Sequence, residues 1–341
     1  MEHAPRGIAN LGNTCYINSC IQILCQIPIF TKVFQETEVS HPTKIESLLW
    51  KNYKNILDLI HSPSENLREE IHPNGFIQAI EQVAKHKKAS FYQQDEPADI
   101  GEFFIFLIDS FHECISREME IHISGHSENE VDNLAIEVFT KFKKEMETNY
   151  SPLYPLFHGW QVSRISSLDP PHLVHSNKAE SFKLLDLPIP MNIQTISLQD
   201  CLQHYIQPEI LDGNNQWYNE KTQQRESIRK ELLFWSFPDI LIVSLKRNQY
   251  DGTKNNTYIS YPLELDLRSY VHGYKKSHYE YDLRGVVNHM GNASNGHFNA
   301  FVKKQDHWFY CNDETIQIIE NLEHLQTKYA HCLIYVKKNS V

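Results

Sequence analysis

The stretch Gly7-Ile-Ala-Asn-Leu-Gly-Asn-Thr-Cys-Tyr-Ile-Asn-Ser19 sets a cysteine at the foot of a helix. Gly12 permits a tight turn, and Asn13 or Thr14 can cap the helix that follows. Cys15 then falls in the first helical turn, where the macrodipole and unpaired backbone N–H groups favour a thiolate. A thiolate so placed is a nucleophile. The same N–H groups, with the Asn10 side-chain amide added, suit an oxyanion. Further along, Ile17, Ile21 and Leu24 lie on one helical face and Tyr16, Cys20 and Ile23 on another, the pattern of a buried helix closed by Pro28. The competing reading of Cys15 is a small buried hydrophobe, one of seven cysteines. The chemistry therefore depends on finding a base.

Among 19 histidines, His297 stands out by its surroundings. Gly291 and Gly296 flank a polar loop, His297 opens a strand His297–Val302, and the connection Lys303–His307 leads into a second strand, Trp308–Asn312. A hairpin centred on Gln305 sets His297 opposite Asp313, with Asn312 one step away. An imidazole beside a side-chain carbonyl or carboxylate has its tautomer fixed for catalysis. The plainer alternative is a glycine-rich hairpin with an incidental histidine.

The chain has 341 residues, more than one compact core usually holds, which implies one large lobed domain or two domains. Its composition, 41% apolar and 22% charged, is that of a globular protein. Helical stretches are expected at 45–59, 75–85, 102–116 and 134–146. Short strands follow at 182–187, 240–246, 281–287, 297–302, 308–312 and 332–337. Helices first and strands later predict an α+β fold with a cleft between two lobes. The longest apolar run, Phe103–Ile108, is far too short to span a bilayer, so no membrane association is expected. The net charge of −11 and the scattered lysine pairs exclude a nucleic-acid binder and suit a basic protein partner. Without an export signal the cysteines should be reduced thiols, implying an intracellular setting, cytoplasmic and/or nuclear.

Gly7–Ser19 resembles the cysteine box of the ubiquitin-specific proteases, the papain-like deubiquitinases. Tyr281-Asp-Leu-Arg-Gly-Val-Val-Asn-His-Met-Gly291, Gly296-His-Phe298 and Trp308-Phe-Tyr-Cys-Asn-Asp313 resemble the histidine box of the same family. Asp99-Ile-Gly-Glu-Phe103, Phe157-His-Gly159, Glu180–Leu187 and Pro238–Arg247 resemble its intermediate landmarks, in the family's order. The resemblance implies a papain-like fold with thumb, palm and fingers, in one catalytic domain over 1–341. The helical thumb would cover about 1–156, and the β-rich palm and fingers about 157–341. It also implies hydrolysis of isopeptide, peptide or ester bonds at the C-terminal glycine of ubiquitin, with ubiquitin and ubiquitinated proteins as partners and an activating protein partner unidentified.

Residue by residue, Cys15 matches the family nucleophile, His297 the general base, and Asn312 the third triad position. Asp313 matches the adjacent acid, and Asn10 the oxyanion-hole residue. Asp99 matches a position that binds the ubiquitin tail, although a helix N-cap is its plainer role. Asp95 is a second acidic candidate in that run. Gly291 and Gly296 border the loop beside the channel for the diglycine end of ubiquitin. The family's two C-x-x-C zinc pairs are missing, so no metal and no cofactor are expected, and His172 and His175 are read as surface residues. Asn248 replaces a usual aromatic residue. The cysteine box opens so early that no N-terminal targeting module is expected. Two rival readings are a catalytically weak ubiquitin-binding scaffold and a protease for another ubiquitin-like modifier.

Overall fold

The computed structural model describes residues 4–62, 70–89, 99–191, 195–249 and 251–338. Helices come first: α1 (Cys15–Leu24), α2 (Pro28–Glu36), α3 (Glu46–His61), α4 (Asn74–Lys87), α5 (Ile100–Ile115), α6 (Glu130–Met146) and α7 (Leu153–Phe157). Then follow β1 (Gly159–Ser167), β2 (Val174–Phe182), β3 (Leu184–Leu187), β4 (Ile196–Ser197), helix α8 (Leu198–Ile206), β5 (Glu209–Leu211), β6 (Trp217–Asn219), β7 (Gln224–Glu226) and β8 (Ile228–Ser236). The C-terminal third adds β9 (Ile240–Leu245), β10 (Ile259–Ser260), β11 (Glu264–Asp266), β12 (Glu280–Gly291), β13 (Gly296–Lys304), β14 (His307–Asn312), β15 (Thr315–Ile319) and β16 (Ala330–Lys337).

The main sheet runs β15-β14-β13-β12-β16-β9-β3, with β11 on β12. It is antiparallel except where β3 joins β9. Strand β9, inside this sheet, is covered on both faces, which is why it reads as a continuous apolar run, Ile-Leu-Ile-Val-Ser-Leu, buried throughout. Alternation sorts these side chains: Ile240 and Ile242 pack in the core shared with α1–α5, while Leu241, Val243 and Leu245 pack in a second core with α8. All ten residues of α1 are buried, as its apolar pattern on several faces requires. Each large side chain so buried contributes roughly 1.5–3 kcal/mol.

A smaller sheet, β2-β1-β8-β5, extends from the first. Helix α6 covers one face of it, packing Leu134, Ala135, Val138 and Met146 against Val162, Ala179, Leu233 and Trp235. All seven cysteines are free thiols; six lie on α1, α5, α8, β14 and β16, and Cys25 directly follows α1, so none is in this sheet. His172 is exposed, and His175 stacks on Trp217 with ring centroids 5.9 Å apart. Among the described residues no single helix is long and apolar enough to cross a membrane.

The α+β expectation holds, and three local expectations are corrected. Pro28 does not close α1, which ends at Leu24; it opens α2 at the first helical position, where its missing N–H costs nothing. The β13–β14 hairpin is centred between Gln305 and Asp306 rather than on Gln305, because β13 continues to Lys304 and β14 starts at His307. The observed register pairs Ala300 with Cys311 and Lys304 with His307, one step away from the expected one. The third correction concerns the cysteine itself.

Candidate active site

The turn before α1 is built by Asn10. Its side-chain oxygen accepts from Gly12 N–H at 3.0 Å, Thr14 N–H at 3.3 Å and Thr14 Oγ1 at 3.2 Å. Gly12 (φ +97°) and Asn13 (φ +53°) take the left-handed conformations that this reversal needs. Thr14 occupies the N-cap position, but its hydroxyl caps nothing; it accepts from Leu11 N–H at 3.0 Å instead. Cys15 is thereby delivered to the first residue of α1.

Burial then outweighs the helix terminus. Cys15 is 7% exposed, and desolvation pushes its thiol up, with the nearby Asp313 carboxylate adding to the rise. The N–H groups of Phe298, Tyr16 and Cys15 itself oppose this without overcoming it. The thiolate expected from the helix position is thus corrected to a resting thiol. Its sulfur accepts from Phe298 N–H at 3.5 Å. Among the described residues no hydrogen bond joins Cys15 to the His297 ring.

His297, part exposed on β13, presents Nε2 to Asn312 Oδ1 at 2.5 Å. The acceptor oxygen holds the hydrogen on Nε2 and leaves the Nδ1 lone pair as the basic atom. Asp313 Oδ2 stands 3.8 Å from the same Nε2, and its side chain is only 8% exposed. Asp313 accepts from Asn10 Nδ2 at 2.9 Å and from Asn18 Nδ2 at 2.8 Å, which ties the β14–β15 turn to both ends of the cysteine segment. The Asn10 amide is therefore already engaged by a carboxylate, with one N–H remaining. Asn18 also donates to Ile8 O and Ala9 O, each at 3.3 Å, and Glu314 Oε1 accepts from Asn10 N–H at 2.7 Å.

Cys15, Asn10, His297, Asn312 and Asp313 are thus gathered at one end of the β12–β14 ribbon. Asp99 is elsewhere: exposed, it caps α5 by accepting from Glu102 N–H at 3.0 Å. Asp95 lies outside the described residues. Gly291 pairs with Gly296 at the tip of β12–β13. Gly296 is required by packing, since a Cβ there would lie 2.0 Å from His289 Nε2. Asn18, Glu314, Phe298 and His289 did not emerge from the sequence. For His289, the signal was a histidine seven residues before a glycine that directly precedes the candidate base.

A cysteine on a buried helix, packed against a sheet that carries the histidine and asparagine, is the architecture of the papain-like cysteine proteases. The family profile described as Ubiquitin carboxyl-terminal hydrolase matches residues 6–335, and the chain belongs to that family. It is 26% identical to Ubiquitin carboxyl-terminal hydrolase 4 of Saccharomyces cerevisiae, over 96% of this chain and 39% of the relative. It is likewise 26% identical to Ubiquitin carboxyl-terminal hydrolase 16 of Arabidopsis thaliana (99% and 31%) and to Ubiquitin carboxyl-terminal hydrolase 2 of Bos taurus (96% and 54%). The chain thus spans between about a third and a half of the length of these relatives. Its fold matches a chain of the SAGA DUB module Ubp8/Sgf11/Sus1/Sgf73 bound to monoubiquitin, with TM-score 0.73 and 21% identity, covering 99% of this chain and 71% of the other.

Proposed function

We propose that this protein is a cysteine-type deubiquitinase, hydrolysing isopeptide, peptide or ester bonds at the C-terminal glycine of ubiquitin. The observation that carries the reading is the fixed His297 tautomer, Nε2 held by Asn312, on the strand whose next residue hydrogen-bonds the Cys15 sulfur. His297 Nδ1 takes the thiol proton as substrate arrives, and Cys15 attacks the terminal carbonyl. The backbone N–H of Cys15 and the free N–H of Asn10 receive the oxyanion. His297 then returns the proton to the leaving amine, and water hydrolyses the thioester. Asn312 orients the ring without adding charge, and the Asp313 carboxylate stabilises the imidazolium across 3.8 Å. Asp99, exposed at the start of α5, is assigned to the arginine-bearing ubiquitin tail. Gly291 and Gly296 are assigned to the narrow passage for its diglycine end.

Residues 1–341 are read as one catalytic domain, with a helical thumb over about 1–156 and palm and fingers over about 157–341. The fingers are read as zinc-free, and no cofactor is invoked. The resting thiol, with no hydrogen bond to the base among the described residues, supports activation by substrate or by a protein partner, and the neighbour in the SAGA DUB module has partner subunits. The free thiols support an intracellular setting, cytoplasmic or nuclear.

The test is intact-mass analysis after incubation with ubiquitin bearing a C-terminal thiol-reactive warhead. One adduct is expected, absent in Cys15→Ala, which keeps its fold and still binds ubiquitin. A well-folded wild-type protein that forms no adduct would refute the reading.

A further inference from the structure

Lys254 lies in the connection between β9 and β10, where Asn248 and Lys254 bridge and Asn255 N–H returns to Arg247 O at 2.7 Å. The neighbouring Arg247, fully buried, pins the far limb of this connection by donating to Asn255 O and Thr257 O. Lys254 Nζ reaches across to the β12–β13 ribbon and meets His289 O at 2.6 Å, His289 Nδ1 at 3.0 Å and Gly291 O at 3.5 Å. Among the described residues no carboxylate pairs with Lys254. The ionisable groups around this contact are Arg247, His289, His297 and His331. The ammonium is held by neutral acceptors of the ribbon.

His289 touches the residues on both sides of His297. It pairs with Phe298 in the ladder and stacks on that ring, centroids 4.4 Å apart at 17°. Its Nε2 fills the space that a side chain on Gly296 would need. Phe298 in turn gives its N–H to Cys15 Sγ. A continuous line of contacts therefore runs from the Lys254 ammonium through the His289 ring to the backbone of Gly296–Phe298 and the cysteine sulfur.

We propose that Lys254 is a positioning residue, strapping the β9–β10 connection to the β12–β13 ribbon and, through His289, keeping the Phe298 N–H on the Cys15 sulfur. Burial and Lys254 hold His289 down to about 4, so the ring stays neutral and accepts at Nδ1. Lysine at this place presents three N–H donors to three acceptors, which a methionine of similar length cannot do.

The inference rests on Cys15 being the nucleophile of the proposed function. It is tested with a probe that needs no ubiquitin, so the two can fail separately. The rate at which iodoacetamide alkylates Cys15 at pH 7.0, located by peptide mass, is compared in wild type, Lys254→Met and Lys254→Arg, with thermal unfolding as the check on folding. At that pH Lys254, drawn down to about 8 by burial and by Arg247, is still largely an ammonium. Lys254→Met is expected to slow alkylation about fivefold through loss of the Phe298 donor, and Lys254→Arg to restore most of the rate. On a ubiquitin C-terminal ester, Lys254→Met is expected to lower kcat while leaving KM within about twofold. A folded Lys254→Met protein that is alkylated at the wild-type rate or faster overturns the proposal. Should that variant not fold, His289→Phe tests the link through the ring, since it keeps the stacked ring, the Lys254 charge and the His289 O and Gly291 O contacts but removes the Nδ1 acceptor that joins Lys254 to the ring. Slower alkylation supports the strap, and an unchanged rate overturns it.

Discussion

Replacing Arg247 by methionine measures what a buried cation without a carboxylate partner contributes. The guanidinium is 0% exposed and donates from Nε to Ala330 O at 2.7 Å and from Nη1 to Asn255 O and Thr257 O, each at 2.9 Å. Methionine fills much of the volume but leaves three inward-facing carbonyls without that donor, and each such group costs about 1–3 kcal/mol. Relief from burying the charge acts in the opposite direction. That desolvation draws the guanidinium down to about 10, and Nη2 finds no partner among the described residues. Desolvating a cation costs several kcal/mol, so the two effects partly cancel, and a net loss of about 3 kcal/mol is expected. For 341 residues, an unfolding entropy of about 2.1 cal/mol/K per residue makes this a fall in Tm of roughly 4 °C. Differential scanning calorimetry reads it directly. Arg247→Lys keeps the charge but loses the planar fork, and should fall between the two. A methionine variant melting within about 1 °C of wild type would refute the reasoning, because the three hydrogen bonds would then only offset the desolvation.

Three further outcomes follow from the site. Asn312→Ala should lower kcat/KM more than Asp313→Ala, on the order of 10²-fold or greater through loss of ring orientation. Asp313→Ala should instead lower Tm, since the amides of Asn10 and Asn18 lose their acceptor; the reverse order in kcat/KM would reassign the orienting residue. Because burial raises the Cys15 thiol, the thiolate fraction at neutral pH is small, and alkylation of free enzyme should keep accelerating beyond pH 8.5. A plateau reached below pH 7 would show a preformed thiolate–imidazolium pair. Prolonged EDTA treatment should leave activity and Tm unchanged, and a loss of either would reveal a bound metal and overturn the zinc-free reading.

The helix carrying Cys15 and the strands carrying His297 and Asn312 were legible because their signals are local: a left-handed turn before an apolar run, and two short strands with a turn between them. The β2-β1-β8-β5 sheet was largely hidden. Its strands, such as Val174-His-Ser-Asn-Lys-Ala-Glu-Ser-Phe182, are mostly half exposed, and little apolar alternation marks them. The hairpin register was missed by one step because Gln305 takes a left-handed conformation (φ +53°) that permits a two-residue turn, where a longer connection was expected. The state of the Cys15 thiol was illegible for a different reason. A helix start is written in neighbouring residues, but desolvation comes from β13, far along the chain, and depends on packing that no local pattern encodes. The same holds for Asn10, whose amide is committed to Asp313 across 303 positions.

That separation has a consequence during synthesis. Cys15 and the Phe298 N–H that contacts it lie 283 positions apart, so at about 5–20 residues per second the cysteine leaves the ribosome roughly 15–60 s before its partners exist. During that interval α1 has no sheet to bury its apolar faces, and the nascent chain carries a sulfur with neither base nor donor. Until β12, β13 and β14 arrive, Ile17, Ile21 and Leu24 of the first helix have no strands against which to be buried.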